Sequence, residues 1–242
     1  MELSKRLQCV AALVTPGSRV ADVGTDHGYL PIWLVEAGVC PGAIAVDVRP
    51  GPLERAQVHI QEHGLEEKVE TRLGDGLAPL APGEADTLVL TGMGGPLMQG
   101  ILTRGERTAQ AARELILSPQ SDLRAFRQFL YEAGYTVTEE RMLQEDGKYY
   151  TVMRTVPGHD PDPWSPAEFA YGRHLLRKRP PVLRAFLEKK RENCRQILRS
   201  LAREEKPSSR REQVEERLRE LEEILSDWPP EAAKPEETLL SQ

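Results

Sequence analysis

The sequence predicts an α/β fold: a seven-stranded, mostly parallel sheet with helices on both faces, followed by an α-helical antiparallel coiled-coil hairpin. Three observations predict it. Five short aliphatic runs recur along the first half of the chain, at 19–23, 43–48, 69–73, 86–90 and 114–118, each followed by turn residues or a helix-like segment. That alternation marks βαβ units on a sheet buried on both faces. Two longer runs, YTVTEERML and KYYTVMRTV, flank Glu145-Asp146-Gly147, an antiparallel hairpin signal that supplies the last two strands. Beyond residue 180, apolar residues return at alternating spacings of four and three, the rhythm of packed helices.

Taken in order, ELSKRLQCVAALV places Leu3, Leu7, Val10 and Val14 at helical spacing, and Pro16-Gly17 stops that helix. The five strand–helix units follow. After Ser118, SDLRAFRQFLYEAG predicts a helix capped by Ser121, burying Leu123, Phe126 and Leu130 and closing on Gly134. The sheet domain is expected to span 1–157, with a Pro-rich linker at 158–166. A helical hairpin is expected over 167–228. Leu183, Leu187, Lys190, Cys194, Ile197 and Leu201 form one seam; Val214, Leu218, Leu221, Leu225 and Trp228 form the other, with KPSS (206–209) as the turn. The tail, 229–242, is expected to be disordered.

Composition excludes several classes. Of the 242 residues, 29% are charged and 39% hydrophobic, and no apolar run approaches membrane-spanning length, so no membrane partner is expected. Cys9, Cys40 and Cys194 lie too far apart for a zinc knuckle or disulfide framework, and His59, His63, His159 and His174 show no ligand spacing. No metal is expected, and a reduced, cytoplasmic location is. The net charge of −6 is uneven: residues 165–211 carry +9 while 1–164 carry −8 and 212–228 carry −5. A basic block on an acidic chain suggests a polyanion bound in one place.

The most informative stretch is VADVGTDHGYLPIWL, Val20 to Leu34. Asp22 ends a strand, and Gly24 and Gly28 bracket the turn that opens a helix. Gly24 permits a tight reversal; Gly28 permits close approach of either a ligand or a packed helix. The spacing, D-x-G-x-x-x-G, lacks the G-x-G-x-x-G of dinucleotide sites, which argues against a pyrophosphate and fits a cofactor without phosphates, such as S-adenosylmethionine. Asp47, followed by Val48, closes the second strand where an acid can hold two ribose hydroxyls. Asp75, in LGDGL with Gly76, follows the third strand, placed to meet an adenine amino group. TGMGG, with Gly92, Met93 and Gly94, ends the fourth strand with backbone able to line a ligand. Any one of these acids alone reads as an ordinary loop residue. Together they stand at the carboxyl ends of successive strands, where open α/β sheets bind ligands.

LSKRLQ, ADVGTDHGYLPI, TGMGG, the EDGKYY hairpin and YGRHLLRKRP resemble, in order and spacing, the bacterial tRNA (adenine-22 N1)-methyltransferase family over about residues 2–200. The resemblance implies a Rossmann-like class I methyltransferase domain, S-adenosylmethionine as donor, and a helical domain that helps grip tRNA. One departure stands out: Ser118-Pro119-Gln120 occupies the place where the family tends to read Gln-Pro-Asn, so the role of that asparagine does not carry over, and Gln120 is a candidate substitute.

The motifs narrow the chemistry. No cysteine lies where a pyrimidine-carbon methyltransferase needs its nucleophile, and Gly92-Met93-Gly94-Gly95 stands where exocyclic-amine methyltransferases carry Asn-Pro-Pro-aromatic. Adenine N1 needs neither, having an available lone pair. Attack by N1 builds positive charge on the ring, which a carboxylate near the exocyclic amine would stabilise. Asp26 is the candidate, with His27 or Tyr29 stacking or hydrogen-bonding beside it. Two other roles fit Asp26 from sequence: binding the cofactor's ammonium, or capping the following helix. For tRNA, the candidates are Gly94, Gln120, Arg173, Arg177, Lys178, Arg179, Lys189, Arg195 and Arg199, the last two on one helical stripe suited to phosphates. The competing reading of that stripe is a solvated face balanced by the acidic second helix. A monomer is expected, with a homodimer through the helical seam as the alternative. Two other functions compete: methylation of a small molecule or protein, and a non-catalytic RNA-binding or cofactor-sensing role.

Overall fold

In a computed structural model, described for residues 2–201 and 209–228, the chain forms two compact units that divide between Lys178 and Arg179. The first unit runs α1 (Lys5–Ala11), β1 (Val20–Val23), α2 (Tyr29–Glu36), β2 (Ala43–Asp47), α3 (Pro50–Glu62), β3 (Val69–Leu73) and β4 (Thr87–Thr91). It continues with α4 (Gly95–Arg104), α5 (Glu106–Ala111), β5 (Glu114–Ser118), α6 (Leu123–Glu132), β6 (Tyr135–Glu145), β7 (Lys148–Pro157), α7 (Pro166–Tyr171) and α8 (Arg173–Lys178). The second unit holds α9 (Pro181–Leu201) and α10 (Ser209–Ser226).

The seven strands form one sheet in the order β3-β2-β1-β4-β5-β7-β6, with β1 to β5 parallel and β7 antiparallel to both its neighbours. Every residue of β1, β2, β4 and β5 is buried, which is why these strands read as continuous aliphatic runs. Alternate side chains serve two cores. Ala21, Val23, Leu88, Leu90, Leu115 and Leu117 face Met98, Leu102, Phe126 and Leu130; on the other side Val20, Ala43, Val89 and Ile116 face Val10, Leu30, Ile32 and Ile60. The β6–β7 turn follows its sequence signal, with Asp146 (φ 50) and Gly147 (φ 73) both left-handed, as a two-residue primed turn requires. The strand order reverses between β1 and β4, so the carboxyl ends of those strands open a crevice.

Two expectations from sequence are corrected. Asp122 (φ 55), not Ser121, precedes α6, and no side-chain cap is made there. The boundary also differs: residues 158–178 belong to the first unit rather than to a linker and a helical hairpin. Arg127 of α6, 1% exposed, pairs with Glu140 of β6 at 2.8 Å and donates to the carbonyls of Phe169 and Ala170 in α7. Arg173 in turn binds Asp160 at 3.1 Å and Glu168 at 2.9 Å, and lies over the Trp164 ring. These two arginines fasten the Pro-rich segment to the sheet.

In the second unit, Arg179 donates to the Asp227 carbonyl and stacks on Trp228, so the start of α9 meets the end of α10. Leu183, Leu187 and Cys194 of α9 and Leu221 of α10 are buried. Most of the expected turn (206–208) and the tail (229–242) lie outside the described residues.

Candidate active site

A cavity of about 550 Å³ opens at the carboxyl ends of β1, β2, β3 and β4, within the range of small-molecule sites. Eight residues proposed from sequence for the cofactor line it: Asp22, Gly24, Asp47, Val48, Asp75, Gly76, Gly92 and Met93. Asp26, His27, Tyr29 and Gln120 join them. Gly28 and Gly94 do not. A Cβ on Gly28, which is left-handed at φ 73, would stand 3.1 Å from the Ala56 Cβ, so of its two permitted roles this glycine serves the packing of α3. Gly94 is the N-cap of α4.

The loop after β1 turns through three left-handed residues, Gly24, Asp26 and Gly28. This curl aims the Asp26 amide at the Asp47 carboxylate, 3.4 Å away. Asp47 is buried and also accepts from the Arg49 amide at 2.9 Å, leaving lone pairs toward the cavity for hydroxyl donors. Asp75 is more open and pairs with Arg104 at 3.1 Å. Asp22 lies deepest. Burial pushes its carboxyl up to about 6, against the pull of the nearby Arg6 cation.

At the mouth stand Asp26, His27 and Tyr29. The Asp26 carboxylate is more than half exposed and faces Arg55 at 3.3 Å and His27 Nε2 at 3.6 Å. Among the described residues this carboxylate accepts from Arg55 and not from an α2 amide, which leaves the helix-capping alternative without support. The His27 and Tyr29 rings are nearly parallel, 5.1 Å apart at 7°, and His59 of α3 lies against both. The His59 Nδ1 meets the His27 carbonyl at 2.8 Å, fixing the cluster. Tyr29 is 39% exposed and lines the cavity.

Sequence reasoning did not single out Arg6, Thr25, Arg49 or Leu97, which also line the cavity. Arg6 comes from α1, ahead of the first strand; it lies within LSKRLQ, but nothing in that stretch by itself points to a ligand. Among the described residues no group of three or more His, Cys, Asp or Glu is placed to hold a metal, and no helix is long and apolar enough to cross a membrane.

The proposed tRNA cations divide. Arg173 is corrected: its side chain is 5% exposed and consumed by Asp160 and Glu168, so it is structural. Arg177 and Lys178 are exposed on α8, and Lys178 lies 3.7 Å from Glu139. In the second unit Arg179 holds Asp227, Arg195 pairs with Glu222 at 2.8 Å and Arg199 with Glu192 at 2.6 Å, while Lys189 is exposed on α9.

A methyltransferase-domain family model matches residues 3–153. The tRNA (adenine(22)-N(1))-methyltransferase of Bacillus subtilis is 39% identical over 153 residues, 63% of this chain and 64% of that protein. The matched region thus spans just under two thirds of that relative's length. The crystal structure of the B. subtilis tRNA methyltransferase TrmK is similar at a TM-score of 0.82, with 31% identity over 93% of this chain and 99% of the other. A Streptococcus pneumoniae protein solved in complex with S-adenosyl-L-methionine is similar at 0.84, with 32% identity over 93% of this chain and all of that one.

Proposed function

Because the chain belongs to the bacterial tRNA (adenine-22 N1)-methyltransferase family, we propose that it transfers a methyl group from S-adenosylmethionine to N1 of adenine 22 in tRNA. One observation carries the reading: three acids from three successive strand ends, Asp22, Asp47 and Asp75, converge on one cavity whose mouth is formed by Asp26, His27 and Tyr29. The residues fit the cofactor. Asp47 offers acceptors for ribose hydroxyls, Asp75 an acceptor for the adenine amine, and the buried Asp22 an acceptor for an ammonium group. When bound, S-adenosylmethionine supplies an electrophilic methyl on a sulfonium centre.

The chain's part at the acceptor is positioning and charge stabilisation. N1 of adenine has a lone pair and no proton to remove, so no general base is required of the protein. The exposed part of the Tyr29–His27–His59 ring cluster gives the target ring an aromatic surface to pack on. Asp26 then accepts from the exocyclic amine, opposing the positive charge that grows on the ring as N1 attacks. Its exposed pairing with Arg55 is worth less than about 1 kcal/mol, so the carboxylate is released at little cost. Because N1 is engaged in Watson–Crick pairs, the adenine enters unpaired or splayed from the tRNA. Arg177, Lys178 and Lys189 are exposed cations suited to its phosphates.

Replacing Asp26 by Ala tests the assignment at the mouth. Affinity for S-adenosylhomocysteine is expected to stay within about threefold, while kcat falls about 100-fold. Loss of cofactor affinity with turnover preserved at saturation would place Asp26 in the cofactor site instead.

A further inference from the structure

The guanidinium of Arg6 borders the cavity, and its Nη1 is enclosed without a hydrogen-bond partner among the described residues. An enclosed cationic donor with nothing to accept from it is costly, and such groups in native folds call for an explanation. Among the described residues no acid forms an ion pair with it. The Tyr150 ring lies 5.7 Å away, and a Cβ on Gly92 would stand 3.9 Å from Nη1, so the cation sits beside the backbone that follows β4. Asp22 is buried in the same cavity and feels the Arg6 charge, but among the described residues no hydrogen bond or ion pair joins the two.

We infer that Arg6 anchors the carboxylate of the cofactor's amino-acid end. The inference rests on the cofactor reading above and deepens it. Asp47 and Asp75, from the β2 and β3 side of the sheet, are committed to the nucleoside, which leaves the β1–β4 side for the amino acid. That group is a zwitterion, one ammonium and one carboxylate a single carbon apart. The β1–β4 side offers one buried acid, Asp22, and one unsatisfied cation, Arg6, so the two charges of the ligand meet the two charges of the protein. The anchor comes from α1, a helix outside the βαβ units, held in place by Leu3, Val10 and Ala11 in the core and by Ser4 capping at the Leu7 amide. Cofactor binding thereby depends on a segment that precedes the sheet.

The test compares two ligands on two proteins, the full chain and its Arg6→Met variant, by calorimetry. The ligands are S-adenosylhomocysteine and its decarboxylated analogue, which keeps the amine and the nucleoside. Arg6→Met is expected to weaken S-adenosylhomocysteine about 10- to 100-fold and to leave the analogue within about threefold, as loss of one charge-assisted contact predicts. The analogue also reports whether the variant's site is folded. Equal affinity of S-adenosylhomocysteine for both proteins, or equal weakening of both ligands, would overturn the anchor. Failure of the unaltered protein to bind either ligand would overturn the cofactor reading itself.

Discussion

Asp22 is the residue at which stability and binding oppose each other. Burial raises its carboxyl from 3.8 to about 6, so the fold keeps the proton over a range where the unfolded chain has lost it. Below pH 4 both states are protonated and the group contributes nothing. Between about pH 4 and 6 the unfolded state ionises first, so stability falls as pH rises through that window and stays lower above it, by about 3 kcal/mol for a shift of this size. An ammonium group beside Asp22 favours the ionised form, so cofactor affinity moves the opposite way and rises through the same window. Asp22→Asn is therefore expected to raise the ligand-free protein's stability at pH 8 by about 1–3 kcal/mol, and by less at pH 4.5, while weakening S-adenosylhomocysteine at least about tenfold. Urea unfolding of both proteins at the two pH values, with calorimetry at pH 8, measures it. A variant less stable than the parent at pH 8 would contradict this account of Asp22.

Among the elements, α7 and α8 owe their place to one buried pair. Arg127 and Glu140 are 1% and 0% exposed at the side chain, and Glu140 also accepts from the His174 amide at 3.1 Å. Removing one partner leaves an uncompensated buried charge, so Arg127→Ala is expected to cost about 3–5 kcal/mol in denaturant unfolding. Gly172→Ala strikes the same spot: its φ of 94 disfavours any side chain, and the new Cβ would meet the Glu140 carboxylate at 2.5 Å. A cost below about 1 kcal/mol for Arg127→Ala would show the pair to be dispensable. These elements also mark where the sequence stopped being legible. The parallel strands were readable because full burial on both faces writes a continuous aliphatic run, and the hairpin because Asp146-Gly147 must be left-handed. Arg127 was not, because in LRAFRQFLYE it looks like any cation on the wet side of an amphipathic helix. Only the fold, by laying Glu140 and two α7 carbonyls over it, turns it inward. Arg173 misled for the same reason: a run of cations in sequence says nothing about which of them has found an acid at 160 or 168.

For the whole molecule, the cofactor site was more legible than the acceptor site or the RNA surface. Acids at successive strand ends must converge once the sheet is parallel, so Asp22, Asp47 and Asp75 could be placed together before any coordinates. Arg6 could not, because its position depends on how a separate helix docks on the finished sheet. The basic block loses Arg173, which is buried between Asp160 and Glu168, while Arg195 and Arg199 sit in exposed ion pairs of the weak kind that a phosphate can replace. The most direct test of the account is chemical. Purified protein is incubated with S-adenosylmethionine and unmodified bacterial tRNA carrying adenine at position 22; the product is digested for N1-methyladenosine and mapped by reverse transcription. N1-methyladenosine is expected, with the reverse-transcription stop at nucleotide 22. Cofactor binding without any methylated adenine in such tRNAs, or a stop confined to another nucleotide, would contradict it.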